Sequence, residues 1–268
     1  MGSTPVQGPR IAVLGLGEAG GAIAGDLVAA GARVRGYDPK VPAPPGVMDT
    51  VSEAEAARGS DLVLSVNSAS AAVDALRAAL AGTPPGCLWA DLNTASPGVK
   101  RRLGVIDGEA GIDFVDVSLM ATVPGRGLWT PMLVSGPGAR RYAEMLRPLG
   151  ARADVLDGPA GPAAERKLLR SVFYKGLAAA VVEALEAARA AGCEDWLREN
   201  IADELTRASA ATLDRLVEGS HRHALRRTVE MQAAADMLDD LDVPPLIAMA
   251  SRDLLRRLAE SRSTPQVY

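Results

Sequence analysis

A glycine pattern directly after a short apolar run constrains this chain more than any other feature. The run Ile11–Leu14 is continuously apolar, which is typical of a buried parallel strand. It leads into G-L-G-E-A-G at positions 15–20 and then into a helical pattern that reaches about Ala30. A strand, a G-x-G-x-x-G turn and a helix in this order predict an α/β fold in which a ligand approaches the turn closely.

Each glycine has a separate predicted role in this turn. Gly15 permits the tight turn off the strand, Gly17 lets a pyrophosphate approach the backbone, and Gly20 lets the helix lie close to the sheet. The free N–H groups and the positive dipole end of the helix favour phosphate. We therefore expect this segment to bind a dinucleotide. Its predicted cofactor-binding residues are Gly15, Leu16, Gly17, Glu18, Ala19 and Gly20.

An acidic residue follows the second predicted strand, Ala32–Tyr37. Asp38 stands at the end of that strand, where an acid usually hydrogen-bonds the adenosine ribose hydroxyls and repels a 2′-phosphate. This position favours NAD. Lys40 lies two residues further on and Arg35 lies within the strand, and both weaken the preference. The sequence therefore predicts NAD or NADP as the cofactor, with NAD slightly favoured.

Strands and helices continue to alternate through residues 1–160, which predicts a Rossmann-type, doubly wound and mostly parallel sheet. Further strands are predicted at 61–66, 87–92, 113–120, 131–135 and 153–156, with helices at 52–58, 69–81 and 138–149. Ser52 and Ser96 are expected to cap helices, and Pro97 suits the first helical position after Ser96. Residues 1–160 are therefore predicted to form the dinucleotide-binding domain.

The pattern changes at Gly158–Pro162, after which no segment resembles a strand. One long helix is predicted over Ala163–Ala191, followed by helices at 194–218, 222–241 and 245–260, each with a periodic apolar stripe. Residues 161–268 are therefore predicted to be a connecting helix and a small all-α domain. The alanine-rich middle of the long helix permits close approach of another helix, and we expect a homodimer.

Composition excludes several classes of protein. The net charge is −4, with both signs spread along the 268 residues, which argues against a nucleic-acid partner. Only two cysteines are present, Cys87 and Cys193, so neither a disulfide framework nor a metal cluster is expected. His221 and His223 form H-x-H, but no further metal ligands are clearly placed. With no apolar leader and no membrane-length stretch, the chain is predicted to be cytoplasmic and not membrane-bound.

Three cations crowd the beginning of the long helix: Arg166, Lys167 and Arg170. Cations at a helix start oppose the macrodipole and repel one another, and such local conflicts often mark function. Neighbouring positive charge would lower the pKa of Lys167, which suits it for general acid/base chemistry on a carbonyl or hydroxyl group. Ser171 and Tyr174 share its helix face and are further catalytic candidates. A solvated basic helix start is the alternative.

The order of these parts resembles the β-hydroxyacid dehydrogenase family, which includes 6-phosphogluconate and 3-hydroxyisobutyrate dehydrogenases. The family motif D-x-S-T-x-x-P is similar to Asp91–Pro97, in which Asn93 replaces serine. The resemblance implies that Asn93 and Thr94 lie near the nicotinamide, and that Val66 and Asn67 belong to the cofactor loop after a strand. The family's catalytic K-x-x-N-N stretch resembles Lys167–Ser171.

Two departures concern the substrate. The family's D-A-P-V-S-G-G loop appears as Asp116–Thr122 without its serine and glycines, and the asparagines after the lysine are Arg170 and Ser171. A branch of this family described as 6-phosphogluconate-dehydrogenase-like resembles the chain more closely over 117–124, 167–176 and 226–231. The predicted substrate-binding residues are Met120, Ala121, Thr122 and Arg170. In a dimer, Arg222 or His223 of the partner subunit would border the cleft.

The sequence therefore predicts an NAD(P)-dependent oxidoreductase that acts on a small carbonyl or hydroxyl substrate, with Lys167 as general acid/base. An imine reductase is one alternative, because imine reductases share the architecture, although they usually replace this lysine. A dinucleotide-binding protein without turnover is another, and the altered substrate loop favours it.

Overall fold

The computed structural model describes residues 8–263, with side chains as far as Ser261. It divides into two compact units, of which the first ends at Arg170 and the second begins at Ser171. The predicted domain boundary, after residue 160, lies before the long helix. The boundary between the two units of the structure, after Arg170, lies inside that helix.

The first unit is built on an eight-stranded sheet. Its strands are β1 (Arg10–Leu14), β2 (Arg33–Tyr37), β3 (Met48–Asp49), β4 (Leu62–Ser65), β5 (Leu88–Asp91), β6 (Asp113–Leu119), β7 (Met132–Ser135) and β8 (Ala153–Val155). Their order in the sheet is β3-β2-β1-β4-β5-β6-β7-β8. All neighbouring pairs are parallel except β6 with β7. The predicted Rossmann-type, mostly parallel sheet is confirmed. The two-residue strand β3 was not predicted, because so short a strand leaves no periodic pattern.

Helices connect these strands as the sequence predicted. They are α1 (Glu18–Ala29), α2 (Glu53–Ala57), α3 (Ala72–Ala79), α4 (Pro97–Glu109) and α5 (Ala139–Leu146). The side chains of Ser52 and Ser96 accept N–H groups in the first turns of α2 and α4, which confirms both predicted caps. The helix predicted over 138–149 ends earlier as an α-helix, because its last turn, Arg147–Leu149, is a 3₁₀ turn that contains Pro148.

Alternate residues of the strands face two separate cores, as the strand period of two requires. Ile11 and Val13 belong to the core on one side of the sheet. Ala12 and Leu14 belong to the core on the other side, together with Trp89. Cys87 is buried in this second core. Because helices cover both sides, the polar groups that remain available lie mainly at the ends of the strands.

The long helix α6 (Pro162–Ala190) begins in the first unit and continues in the second, which also contains four further helices among the described residues. They are α7 (Glu194–Arg207), α8 (Ala210–Arg222), α9 (Ala224–Asp240) and α10 (Leu246–Ser263). The prediction of a single helix over 194–218 was wrong. The chain breaks at Ala208, and Ser209 begins a new helix whose capping box includes a hydrogen bond from the Ser209 N–H to Oγ1 of Thr212 at 3.1 Å. Within the described residues, no helix is both long and apolar enough to cross a membrane.

Candidate functional site

A cleft of about 560 Å³ opens at the carboxyl ends of strands β1, β2 and β4. This edge of a parallel sheet is where open α/β folds bind their ligands. Six of the residues singled out from the sequence line the cleft: Gly15, Gly17, Asp38, Lys40, Val66 and Asn67. The other predicted residues of the glycine segment, Leu16, Glu18, Ala19 and Gly20, lie in the same turn and in the first turn of α1.

The glycine turn has the conformation that its sequence predicts. Gly15 has a φ of +94°, and a Cβ there would lie 2.4 Å from the carbonyl oxygen of Val66. A Cβ on Gly20 would lie 1.8 Å from the carbonyl oxygen of Gly15, so helix and turn meet too closely for any side chain. These two positions therefore require glycine for the fold itself.

Gly17 differs from the other two glycines. Its φ is −61°, which any residue adopts, and a Cβ there would have no atom of the described residues within 4 Å outside its chain neighbours. It stands at the N-cap of α1, beside N–H groups that the helix leaves without internal partners. The protein therefore leaves open a space at a helix N-terminus that an anionic ligand group would fill.

Asp38 joins the end of β2 to this turn. Its Oδ2 accepts the N–H of Leu16 at 2.8 Å, and its Oδ1 accepts the N–H groups of Lys40 at 2.8 Å and Val41 at 3.1 Å. Burial acts to raise the pKa of Asp38, but these three N–H donors and the charge of Lys40 hold the pKa below its usual value. Asp38 is therefore an ionised acceptor beside the cleft at neutral pH.

A second polar group lies at the ends of β4 and β5. Ser65 Oγ accepts Nδ2 of Asn93 at 3.0 Å and Nδ2 of Asn67 at 3.3 Å. The two predicted asparagines therefore meet at Ser65, the residue that directly precedes Val66 and Asn67 of the predicted cofactor loop. Asn93 is buried, and its Oδ1 makes no hydrogen bond among the described residues. Thr94, next in the chain, is exposed.

The start of α6, which carries Lys167, is held by a buried acid. Asp116 is fully buried on β6, and its Oδ2 accepts the N–H groups of Gly161 at 3.1 Å and Ala164 at 3.0 Å. Lys167 lies one turn beyond these donors and is half-buried. The first residue of the motif-like stretch Asp116–Thr122 therefore caps α6. Its partners could not be found from the sequence, because they lie more than forty residues away.

The remaining predicted residues are spread along the chain. Met120 and Ala121 follow β6 and are half-buried, whereas Thr122 is exposed. Arg170 is exposed at the end of the first unit. Ser171 and Tyr174 belong to the second unit, where the Tyr174 ring packs edge-on against Phe173 at 5.1 Å between centroids. Their roles stay predictions.

Sequence reasoning missed Lys100, whose side chain is completely buried. Its Nζ lies 2.6 Å from Oδ2 of Asp91 and 3.3 Å from Oδ1 of Asp116. A signal for it was present, because Lys100 shares a face of α4 with the buried residues Leu103 and Asp107 at helical spacing. A lysine on the buried face of a helix needs a charged partner.

Asp107 on the same face is buried, and neither of its carboxyl oxygens has a hydrogen-bond partner among the described residues. Burial, with the nearby charge of Asp91, raises its pKa to about 8. No group of three or more His, Cys, Asp or Glu residues in the described part of the chain could hold a metal ion.

Comparison with known families places this geometry in a class. Residues 10–149 match the NAD binding domain of 6-phosphogluconate dehydrogenase. The match covers more than half of the chain, and the chain therefore belongs to this family. Residues 188–258 match a domain of unknown function.

The individual relatives share a quarter or less of their aligned residues with this chain. An uncharacterized 28.5 kDa protein of Methanothermus fervidus is 25% identical over 204 residues, which are 76% of this chain and 78% of that protein. A conserved protein of unknown function, whose structure is described as similar to 3-hydroxyacid dehydrogenases, is 25% identical, with a TM-score of 0.58 over 93% of this chain and 98% of its own. A reductive aminase from Aspergillus terreus in complex with NADPH and ethyl levulinate is 19% identical, with a TM-score of 0.76 over 95% and 94%. This last likeness concerns the fold.

Proposed function

We propose that this protein is an NAD(P)-dependent oxidoreductase that transfers hydride between the nicotinamide and a small carbonyl or hydroxyl substrate. The observation that carries the proposal is the cleft at the end of β1. There the open position at Gly17, the N-terminus of α1 and the carboxylate of Asp38 form one surface. The family match over residues 10–149 supports the same ligand class.

In this proposal, different residues of the cleft bind different parts of the dinucleotide. The N–H groups at the start of α1 would bind the pyrophosphate, for which the missing side chain of Gly17 leaves room. Asp38 accepts hydrogen bonds from the adenosine ribose hydroxyls and disfavours a 2′-phosphate, so NAD is slightly favoured. Lys40, which also lines the cleft, opposes that preference by attracting phosphate. Asn93 and Thr94 border the nicotinamide, beyond the loop of Val66 and Asn67.

Lys167 is the proposed general acid/base. A bound nicotinamide supplies or accepts the hydride at its C4 atom. Lys167 donates a proton to the substrate oxygen during reduction and takes one from the substrate hydroxyl during oxidation. Ser171 and Tyr174 are the proposed hydrogen-bonding partners of the substrate, and Met120, Ala121, Thr122 and Arg170 are proposed to contact it. The capping of α6 by Asp116 supports this assignment, because it gives the segment before Lys167 a defined position.

Imine reduction is the second candidate, and the structural likeness to the reductive aminase favours it. A protonated imine already carries the positive charge that a carbonyl acquires only when a proton is donated to it. Lys167 as an ammonium group would repel such a substrate. The charge of Lys167 therefore favours a carbonyl substrate over an imine. A chain with a neutral residue in place of Lys167 would be better suited to an imine.

We also propose that the protein is a homodimer. Residues 172–178 of α6 are all exposed although most of them are apolar, with Val172 at 75% and Phe173 at 57% exposure. Seven successive helical residues cover every side of a helix, and a helix that is apolar all round is normally buried. A second copy of the chain supplies the same apolar segment, as a two-fold symmetric interface requires.

The proposed activity is tested in two stages. The first is titration with NAD, NADH, NADP and NADPH while thermal unfolding is followed, because a ligand that binds only the folded state raises Tm. The second is a panel of paired carbonyl and cyclic imine substrates, assayed with the nucleotide that binds best. Faster turnover of imines than of the matching ketones would favour the second candidate. A nucleotide that binds but is never oxidised or reduced by any substrate would contradict both.

A further inference from the structure

A buried ionic cluster connects the two ends of the candidate site within the first unit. We define it as Lys100, Asp91 and Asp116, whose side chains have no exposed area. Lys100 Nζ donates to Oδ2 and to the backbone oxygen of Asp91, each at 2.6 Å, and lies 3.3 Å from Oδ1 of Asp116. Buried charges are tolerated only when partners hold them in good geometry. Lys100 is therefore held to Asp91 by hydrogen bonds and to Asp116 by an ion pair, in which Oδ1 of Asp116 accepts no hydrogen bond among the described residues.

The Asp91 side of the cluster holds the loop after β5. Asp91 Oδ1 accepts Nδ2 of Asn93, and the same nitrogen donates to Ser65 Oγ. Two acceptors, Ser65 Oγ and Asp91 Oδ1, therefore orient Asn93. The other carboxylate oxygen of Asp91, Oδ2, is bound to Lys100. Asn93 is the residue proposed to border the nicotinamide.

The Asp116 side of the cluster holds the start of α6. Asp116 Oδ2 accepts the N–H groups of Gly161 and Ala164, and also Oγ–H of Ser135 at 3.1 Å. Ser135 Oγ in turn accepts the N–H of Ala163 at 3.1 Å. Three of the N–H groups at the start of α6 are therefore bound by side chains of β6 and β7. The positive end of the helix also favours the carboxylate charge of Asp116.

We propose that Lys100 is a positioning residue for the reaction, because it ties Asp91 to Asp116 and so fixes Lys167 on α6 relative to Asn93. This inference rests on the proposed function, since it assigns the catalytic proton to Lys167. Lys100 acts through its two carboxylate partners rather than on the substrate. A displacement of about 1 Å at a catalytic group can cost about 10²-fold in rate, so the link has a kinetic consequence.

Two variants loosen the link in different ways. Lys100→Met removes the ammonium and leaves two buried carboxylates facing each other, which threatens folding as well as position. Ser135→Ala is the milder change, because it removes the acceptor of the Ala163 N–H and one donor to Asp116 while the charges stay. The matched control is Asp107→Asn, an equally buried side chain on α4 that has no hydrogen bond to α6.

The experiment combines amide hydrogen exchange with steady-state kinetics on the full-length protein. In Lys100→Met and Ser135→Ala, we expect exchange at residues 161–167 to accelerate about tenfold or more, while exchange in α1 stays unchanged. We expect kcat to fall about tenfold in Ser135→Ala and further in Lys100→Met, while the Kd for the preferred nicotinamide nucleotide stays unchanged. Asp107→Asn should change neither kcat nor the exchange at 161–167 relative to that in α1.

Unchanged exchange at 161–167 and unchanged kcat in a folded Lys100→Met would overturn the inference. Equal losses in Asp107→Asn would overturn it too, since they would show a general effect of disturbing buried groups. If Lys100→Met does not fold, Lys100→Arg, which keeps the charge but changes its contacts with Asp91 and Asp116, takes its place in both measurements. If the wild-type protein binds the nucleotide but turns over no substrate, the proposed function fails. Normal exchange at 161–167 in Lys100→Met would then separately show that the cluster does not hold α6.

Discussion

The carboxylate of Asp38 accepts the backbone N–H of Leu16 at 2.8 Å, which joins the end of β2 to the middle of the glycine turn. The two residues are 22 positions apart in the chain. This hydrogen bond holds the acid beside the glycine turn. A dinucleotide would therefore meet a site whose phosphate and ribose subsites already have their geometry, which reduces the ordering cost of binding.

The open space at Gly17 gives the sharpest test of the coenzyme site. Gly17→Ala should fold normally, because no described atom outside its neighbours lies within 4 Å of the new Cβ. The methyl group should nevertheless obstruct the pyrophosphate and weaken nucleotide binding about tenfold or more. Gly25→Ala, further along α1 and equally free of contacts, is the matched control. It should keep full affinity and gain about 0.5–1 kcal/mol in stability. Calorimetric titration of both variants with the nucleotide checks this. Equal nucleotide affinities in the two variants would contradict the proposal that the pyrophosphate lies at Gly17.

Asp38 should determine the choice between NAD and NADP. Asp38→Asn keeps an oxygen for the Leu16 N–H but removes the negative charge beside the ribose. We expect the ratio of NADPH affinity to NADH affinity to rise about tenfold, since hydrogen bonds to charged groups contribute about 1.5–3 kcal/mol. Asp49→Asn makes the same charge change at an exposed position on β3 and should leave the ratio unchanged. A wild-type protein that already binds NADPH more tightly would contradict the NAD preference.

Removal of the Lys167 amine should separate binding from chemistry. Lys167→Ala should bind the nucleotide as the wild type does, while turnover of a carbonyl substrate falls by about 10²–10⁴. Arg102→Ala, which removes an exposed cation on α4, is the control and should keep turnover within about twofold of the wild-type value. Stopped-flow fluorescence and steady-state rates measure the two properties. Unchanged turnover in Lys167→Ala would remove this residue from the mechanism.

Asp107 should make the protein less stable as pH rises. Its pKa is about 8 in the folded chain, against about 3.9 in an unfolded one. Between these values the folded state binds a proton that the unfolded state does not, so the free energy of unfolding falls as pH rises and levels off above about pH 8. Asp107→Asn removes this proton exchange. At pH 9 we expect the free energy of unfolding of Asp107→Asn to be higher than that of the wild type by an amount on the order of 2–5 kcal/mol. Near pH 4 the two free energies of unfolding should be equal. Denaturant unfolding at a series of pH values tests this, and a pH-independent difference would contradict it.

The exposed segment of α6 predicts the oligomeric state. The wild type should have twice the 27.8 kDa mass of one chain in light scattering after size exclusion. Val172→Glu places a charge in the apolar surface and should give the single-chain mass. Val105→Glu makes the same change at an exposed position on α4 in the first unit and should leave the dimer intact. A monomeric wild type would exclude the homodimer.

Local sequence patterns predicted most of the fold because the elements are short and their signals are local. Continuous apolar runs marked the central strands, and Ser96 with Pro97 marked the start of α4 as the structure has it. The prediction of a single helix over 194–218 was wrong because the apolar periodicity continued across Ala208. The structure instead begins a new helix at Ser209, which is stabilised by a capping box. The glycine turn was predictable to the residue, since each backbone constraint in it comes from neighbours close in sequence.

The amino-acid sequence by itself determined the class of ligand, because a glycine turn between a strand and a helix needs only contiguous residues. Tertiary structure alone decided how the two ends of the site are joined. Lys100 meets Asp116 only because β5 and β6 lie side by side, and Asp116 meets the start of α6 only because the chain returns to β6 after forty-five residues. Hydrogen bonds and ion pairs act over about 3 Å of space regardless of sequence separation, so such partners appear only when the chain is folded.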